Sequence, residues 1–466
     1  MASQTPGALR FKHARVTSTD EQYAAGKAKR ADLPRRAQAE YVAPANRDPL
    51  GILEHQNADR LDWLVGLRMQ RMLQDPFAFY RGTAALQAAD LADSPRSGAD
   101  VVLCGDAHIA NFGLYASPQR TLVFDLNDFD EAAVGPWEWD VKRLVTSVII
   151  AGRHNGYKRN RQRSAALAAA RSYRIAVRGS LELDPLSRYY LRAEVSVGSS
   201  RFGAETQKVI DRAVRSSERR TSERVFSKIT EVAEDGSVRI IEQPPTLAHV
   251  PTEIEEQLGA IVDLYRETVA PDISLLLSQY TPTDVARRVV GVGSVGTRCF
   301  IVVLTGPHGS PLILQVKEAN ESVLHQFGGL ERQLVPGVDP TAMAAEDGYR
   351  VVSLQRILQA VSDPFLGYLT VGGRGFYVRQ FRDRNVSFDI PSLDEQPFED
   401  YVDACGALLA RAHTQSSAAA FIGGYLGSAN TFDEAVVDWA EAYADQSLAD
   451  FEALRDAVAA GRFPTD

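Results

Sequence analysis

Only three cysteines, Cys104, Cys299 and Cys405, occur in 466 residues, far apart and in no metal-ligand spacing. Their scarcity excludes a disulfide framework and a zinc-type cysteine site, and it points to reduced thiols in a cytoplasmic compartment. Long apolar runs are missing too: none approaches the ~20 residues that a membrane helix needs. The opening residues Met1-Ala2-Ser3-Gln4-Thr5-Pro6-Gly7 hold no apolar core for a signal peptide. A soluble cytoplasmic protein with no membrane partner is therefore expected. Positive charge is not in excess either. The net charge of -9 leaves no general nucleic-acid footprint, although a local Lys/Arg cluster can still bind phosphate inside an acidic protein. No internal repeat is present. What remains is an ordinary globular composition, 45% hydrophobic and 24% charged, in a chain long enough for two lobes with buried cores.

The pattern along the chain divides it into four parts. Residues 1 to about 50 are polar, rich in Lys and Arg and broken by prolines, and read as an arm with little fixed structure. Residues 51–282 read as a mostly helical lobe. Helical spacing begins at Asp59 with Leu61, Leu64 and Leu67, is interrupted at Pro76, and resumes from Leu86 to Leu91. Within this lobe a strand at Val101–Leu103 and a hairpin around Ser117-Pro118-Gln119 are expected, then helices over 140–152, 160–178 and 254–269. A turn is expected at Glu234-Asp235-Gly236. Residues 283–385 change to strand texture and read as a small antiparallel-sheet lobe with one helix at 349–360. Residues 386–466 read as helices that complete the helical lobe, so the expected fold is α+β with two lobes.

Chemistry concentrates first at Gly105-Asp106-Ala107-His108-Ile109-Ala110-Asn111. In kinase-type phosphoryl transfer an Asp takes or orients the proton of the attacking hydroxyl, and an Asn five residues later holds a metal on the nucleotide phosphates. Gly105 relieves the backbone at the turn that aims both side chains into one cleft. The hairpin then returns to Asp125-Leu126-Asn127-Asp128-Phe129-Asp130, where a second Mg²⁺ ligand is expected, since this ion usually takes one or two carboxylates beside phosphate and water. Asp128 is the first choice, because Asp-Phe-Asp resembles Asp-Phe-Gly at a strand end. Asp125 is a rival and Asp130 the third.

The second concentration is Gly291-Val292-Gly293-Ser294-Val295-Gly296. G-x-G-x-x-G opens a helix in dinucleotide folds, but a strand follows it in kinases. Thr297-Arg298-Cys299-Phe300-Ile301-Val302-Val303-Leu304 is β-branched and aromatic, which predicts a strand. The next strand ends in Lys317, the expected phosphate lysine. Its partner is sought among Gln355, Glu346 and Glu331, and Gln380 lies where a hinge against a nucleotide base is expected. Arg81 and His108 are expected to line the acceptor side.

Gly-Asp-x-His-x-x-Asn, a hairpin, an Asp and then Gly135-Pro136-Trp137-Glu138-Trp139-Asp140 together resemble the aminoglycoside and choline phosphotransferase branch of the protein-kinase-like fold. Cys104 stands where that branch has a His. The resemblance implies that Asp140 is a buried Asp at a helix start bracing the catalytic loop. It also implies that the helix over 401–412 is the one normally preceding that loop. Kinases carry the glycine loop and lysine first, whereas here they follow, so the fold is expected to be circularly permuted. More closely, Pro76-Phe77-Ala78-Phe79-Tyr80-Arg81-Gly82, residues 104–113 and Asn127-Asp128-Phe129-Asp130-Glu131 resemble a bacterial family of unknown function. The function implied is Mg²⁺- and ATP-dependent phosphotransfer to a hydroxyl of an unidentified small-molecule acceptor. A nucleotide-binding pseudokinase and a kinase-like nucleotidyltransferase are the alternatives. A metallophosphoesterase also opens with Gly-Asp-x-His, but His154, His249, His308, His325 and His413 lack the settings that such a site needs.

Overall fold

The computed structural model describes residues 18–198, 202–220, 222–232, 238–289, 291, 293–333, 335–381 and 384–465. The expected turn at Glu234-Asp235-Gly236, Val292 of the glycine loop and residues 1–17 of the arm lie outside the described residues.

The architecture is α+β, with a helical body and one six-stranded antiparallel sheet. At the centre of the body is the helix Trp137–His154. It is buried along nearly its whole length, its charged residues Glu138, Asp140, Lys142 and Arg143 included. Glu138 and Asp140 in its first turn and Arg153 and His154 in its last complement the helix dipole, and Gly156 at φ 73° closes it. Around it pack Arg159–Ser180, Glu395–His413 and Thr431–Ala459. Trp137 stacks on Tyr173 with ring centroids 5.7 Å apart. The last two helices come from the end of the chain, so segments on both sides of the sheet in sequence build the body.

The polar arm is not loose over its described part. Thr19–Lys29 is a helix begun by a capping box in which Ser18 and Glu21 bond each other's backbone N–H. It crosses the helix Ala419–Leu426 at two glycines: a Cβ on Gly26 would lie 1.9 Å from the Phe421 carbonyl oxygen, and one on Gly424 2.1 Å from that of Tyr23. Arg30 then donates to the Tyr425 carbonyl at 2.9 Å. Packing through glycine and backbone carbonyls leaves no apolar stripe, which is why composition alone read this stretch as unstructured.

Strand β1 (Asp100–Leu103) pairs β4 (Ala133–Pro136), while β2 (Phe112–Ala116) and β3 (Leu122–Leu126) make the hairpin between them. A short pair, β5 (Thr230–Val232) with β6 (Val238–Ile240), precedes the large sheet. That sheet comprises β7 (Leu247–His249), β8 (Thr281–Arg288), β9 (Cys299–Thr305), β10 (Pro311–Ala319), β11 (Gly367–Val371) and β12 (Arg374–Gln380), in the order β11-β12-β10-β9-β8-β7. A last two-residue strand, β13 (Val386–Ser387), joins β2. The sheet therefore recruits residues ahead of the expected boundary at 283. The expected helix over 254–269 is broken in two, Thr252–Glu255 and Leu258–Arg266.

Alternation along the strands gives the sheet two apolar faces. Val302, Leu304, Leu312, Leu314 and Val316 pack outward on Val262 and Tyr265 of the helix Leu258–Arg266. Ile301, Val303 and Ile313 face the other way and meet Phe381, Ile240, Leu247 and Val225 of the helix Ser222–Ile229. Lys317 shares the parity of Ile313 and so belongs to this second face.

Candidate functional site

Leu103 pairs Ala133 at the end of the β1–β4 ladder, so the two loops leaving it run side by side. Gly105 has φ 80°, and a Cβ there would lie 2.0 Å from the Glu131 carbonyl oxygen. Only glycine permits both the left-handed backbone and this approach. Asp140 fixes the loop from below: its carboxylate accepts the backbone N–H of Cys104 at 2.7 Å and of Gly105 at 2.9 Å. His413, at the end of the helix Glu395–His413, contacts the same carboxylate at 3.2 Å and the Tyr173 hydroxyl at 2.9 Å.

Asp106 emerges from this braced loop into the cleft. Arg143 donates its Nε to Asp106 Oδ1 at 2.7 Å, and His108 Nε2 lies 3.7 Å from Oδ2. Arg143 is itself held by the Tyr80 carbonyl at 2.7 Å and lies 3.9 Å over the Tyr80 ring. It follows Asp140 by three residues on one helix, so both point at the loop from one helix face. Asn111 donates its amide nitrogen to the Asp106 carbonyl at 2.6 Å, which leaves the amide oxygen as the end available to a cation. Burial pushes the His108 imidazole down from 6.5 to about 4, so the ring is neutral at physiological pH. The unfolded chain then takes up a proton at this ring between pH 6.5 and about 4 that the folded chain refuses, so stability present above pH 6.5 is lost as the pH falls through that window. His108→Asn is expected to flatten the acid side of a melting-temperature profile over this range. An unchanged slope would refute the neutral ring.

Opposite Asp106, the sheet delivers Lys317. Its ammonium is 3.4 Å from Asp128 Oδ1 and forms an ion pair with Asp130 Oδ2. Burial alone would favour the neutral amine, but the two carboxylates outweigh it and hold Lys317 protonated. Asp130 also accepts the Tyr377 hydroxyl at 2.8 Å. Burial pushes Asp130 up, and the Asp128 charge adds to this. For Asp128 burial is outweighed by Lys317 and Arg379, which hold it below the ordinary carboxylate range. Asp128 is thus the acid more strongly favoured as the anion, and Asp130 is anchored by both Lys317 and Tyr377.

The lysine's partners are therefore aspartates of the hairpin loop, and not Gln355, Glu346 or Glu331. Gln355 donates to Gln359, Glu346 accepts from Thr370, and Glu331 is exposed. The helix Asp347–Leu358 contributes Arg350 instead. This fully buried guanidinium donates to the Asp130 and Asn320 carbonyls at 2.9 and 2.7 Å and to that of Ala132, tying the acidic loop to the end of β10.

The glycine segment bridges β8 and β9, so a strand follows it and no helix does. Segments ahead of the Asp106 loop in sequence hold this bridge down. Leu61 N–H bonds the Gly296 carbonyl at 2.9 Å, Arg71 the Gly291 carbonyl at 2.5 Å, and Arg60 the Val295 carbonyl.

One cleft of about 150 Å³ collects most of the expected residues: Arg81, Asp106, His108, Asn111, Asp128, Asp130, Gly291, Gly293 and Ser294 line it, joined by Arg60, Glu131 and Glu318. Lys317 closes it from beneath through Asp128 and Asp130. Val295 is buried against Leu64, and Gly296 packs on the Arg60 side chain. Among the expected residues, Asp125, Gln380, Val295, Gly296 and Lys317 are not part of the cleft lining. Asp125 is not in the cleft: it lies within β3, 1% exposed, and its carboxylate accepts the N–H of Ala360 at 2.8 Å and of Leu126 at 2.9 Å. Its position one strand residue away from Phe124 and Leu126 turns it to the other face of the hairpin. Gln380 is not in the cleft either. It ends β12 with its N–H on Asp363 and pairs Leu314, so it lies on the sheet face opposite Lys317.

Among the described residues no three or more His, Cys, Asp or Glu side chains are grouped to hold a metal by themselves. Asn111 and Asp128 suit Mg²⁺ only as a partial set that phosphate oxygens and water complete. All three cysteines are free and buried. Among the described residues no helix is long and apolar enough to cross a membrane. Sequence reasoning missed Arg60, Arg143, Arg350 and His413. The three-residue step from Asp140 to Arg143 was the one readable signal.

No curated protein and no solved structure matches the chain. A family model does match, over residues 60–457, and the chain belongs to that family, an uncharacterised protein family conserved in bacteria (DUF2252).

Proposed function

We propose that the cleft transfers the γ-phosphoryl group of Mg·ATP to a hydroxyl of an acceptor molecule, in a kinase-like fold whose motif order is circularly permuted. The observation that carries this reading is convergence. Asp106 and Asn111 meet Asp128 and Lys317 beneath a glycine hairpin, although Lys317 lies 189 residues beyond Asp128 in sequence. The contact between His413 and Asp140 supports the permutation, because the late helix lies under the catalytic-type loop as a preceding helix would.

In this reading one Asp106 oxygen stays on Arg143 while the other takes the proton of the acceptor hydroxyl. The acceptor oxygen bonds to the γ-phosphorus as the bond from that phosphorus to the bridging oxygen breaks, and ADP leaves. When bound, Mg²⁺ would supply charge neutralisation on the phosphates, and Asn111 and Asp128 would be the residues that hold it. Lys317 sets the position of Asp128.

One observation favours a second reading, nucleotidyl transfer. The sheet face beyond Lys317 is filled by Gln315 and Arg379, whose guanidinium donates to the Asn127 carbonyl, and is covered further on by the helix Ser222–Ile229. A base laid on that face meets occupied space, whereas the open part of the cleft lies towards Arg60 and His55.

Calorimetry with Mg·ATP tests the common part of both readings. Wild type is expected to bind, and Asp128→Ala to lose affinity about tenfold or more. No heat of binding in wild type would sink both. The products of the slow reaction with water then separate them: ADP for phosphoryl transfer, AMP with pyrophosphate for nucleotidyl transfer.

A further inference from the structure

The lysine expected to meet phosphate is already engaged, buried between Asp128 and Asp130. Two arginines ahead of the Asp106 loop are held less completely, Arg60 through one Nη on the Val295 carbonyl. Arg60 stands before the helix Asp62–Met72, and Arg81 is the last residue of Pro76–Arg81. Both line the cleft, and the Nε of each is buried without a hydrogen-bond partner. We propose that Arg60 and Arg81 are the oxyanion-binding groups of the cleft, taking a phosphate group from the helical side.

A buried donor without an acceptor is costly, and such groups persist where a ligand supplies the acceptor. Guanidinium is suited to this ligand, since its planar fork matches two phosphate oxygens at once. The surroundings agree. Burial lowers the pKa of Arg60 to about 10 and lowers that of Arg81, with Glu131, Glu318 and Asp130 near the first and Asp106, Asp75 and Asp128 near the second only partly offsetting it. Placement agrees as well. Gly293 approaches the Arg81 carbonyl, a Cβ there lying 3.3 Å from it, and Gly296 packs on the Arg60 side chain. The glycine hairpin and the two arginines therefore close over one space. The role in turnover rests on the transfer reading above: the pair would neutralise charge growing on the oxygens of the group in transfer, while Lys317 keeps Asp128 in place.

The test uses inorganic phosphate and no nucleotide. At constant ionic strength, phosphate is expected to raise the melting temperature of the full chain in a saturable way. Arg60→Gln and Arg81→Gln should each weaken its apparent affinity about tenfold, the loss of one charge-assisted hydrogen bond. The exposed Arg455→Gln should leave it unchanged. Equal affinity in all four proteins, or an equal loss in Arg455→Gln, overturns the proposal. Should a variant not fold, phenylglyoxal labelling of wild type decides: phosphate must protect Arg60 and Arg81, and labelling indifferent to phosphate overturns it. Repeating the titration with saturating Mg²⁺ and a non-hydrolysable ATP analogue identifies the source. Phosphate excluded by the analogue means that the site takes the nucleotide's own phosphate, and phosphate still bound means that it takes one on the acceptor. Phosphate binding without Mg·ATP binding sinks the transfer reading alone. Mg·ATP binding with an indifferent phosphate titration sinks this inference alone.

Discussion

Asp106→Asn is expected to lower ATP turnover by about 10²–10⁴-fold, the usual worth of a positioned general base, while Mg·ATP affinity stays within a few-fold of wild type. The asparagine keeps the shape of the side chain and offers an oxygen to Arg143 Nε, which lies 2.7 Å from the native carboxylate. What it loses is the ability to accept a proton. The choice of variant matters because Asp106→Ala would also strip a buried arginine of its ion partner. Breaking a buried pair from one side costs about 3–5 kcal/mol, and the resulting loss of folded protein would mimic a catalytic defect. Arg143 keeps the Tyr80 carbonyl and ring in either variant, which should hold Asp106→Asn folded. Turnover that survives Asp106→Asn undiminished removes Asp106 as the base, and an equal loss of Mg·ATP binding would make it a binding residue instead.

Asp140→Ala is expected to destabilise the fold by about 3–5 kcal/mol, since it leaves two buried N–H donors unsatisfied at about 1–3 kcal/mol each. The donors are those of Cys104 and Gly105, and the carboxylate between them is 1% exposed, so water cannot replace it without opening the body. His413 loses its partner at the same time. Urea unfolding of the full chain measures the cost, and a change under about 1 kcal/mol would show that the loop holds its shape without this brace. Activity should fall further than the folded fraction does, because a shift of about 1 Å in a catalytic group is enough to cost about 10²-fold. Gly105 cannot be altered to compensate, with φ at 80° and Glu131 against it.

Residues that act through local spacing were readable. Asp106 and Asn111 sit on one short loop, so their joint aim follows from five residues of backbone. The strand after the glycine segment was readable because β-branched side chains fit a pleated, half-buried surface. Asp125 was misjudged for the opposite reason: a carboxylate on a strand looks the same in sequence whether it faces a cleft or the N–H of Ala360, 235 residues away. The partner of Lys317 was sought on a helix, but Asp130 and Asp128 supply it, and the helix carries Arg350 to hold their loop. Arg60 gave no signal at all, because nothing near it in sequence says that the Val295 carbonyl will lie within reach.

By itself, then, the sequence determined the elements and the chemical types: an α+β chain, a short loop presenting Asp106 and Asn111, an acidic hairpin end, a glycine bridge between strands and a lysine on the next strand. These are set by steric and hydrophobic preferences that act over a few residues. Only the tertiary structure decided which acid faces the cleft, what Lys317 pairs with, that the polar arm docks through Gly26 and Gly424, and that Arg60 and Arg81 border the cleft, each with its Nε unpartnered. Those outcomes depend on contacts between segments tens to hundreds of residues apart, where burial and the need to satisfy each buried polar group choose among options that the local sequence leaves equal.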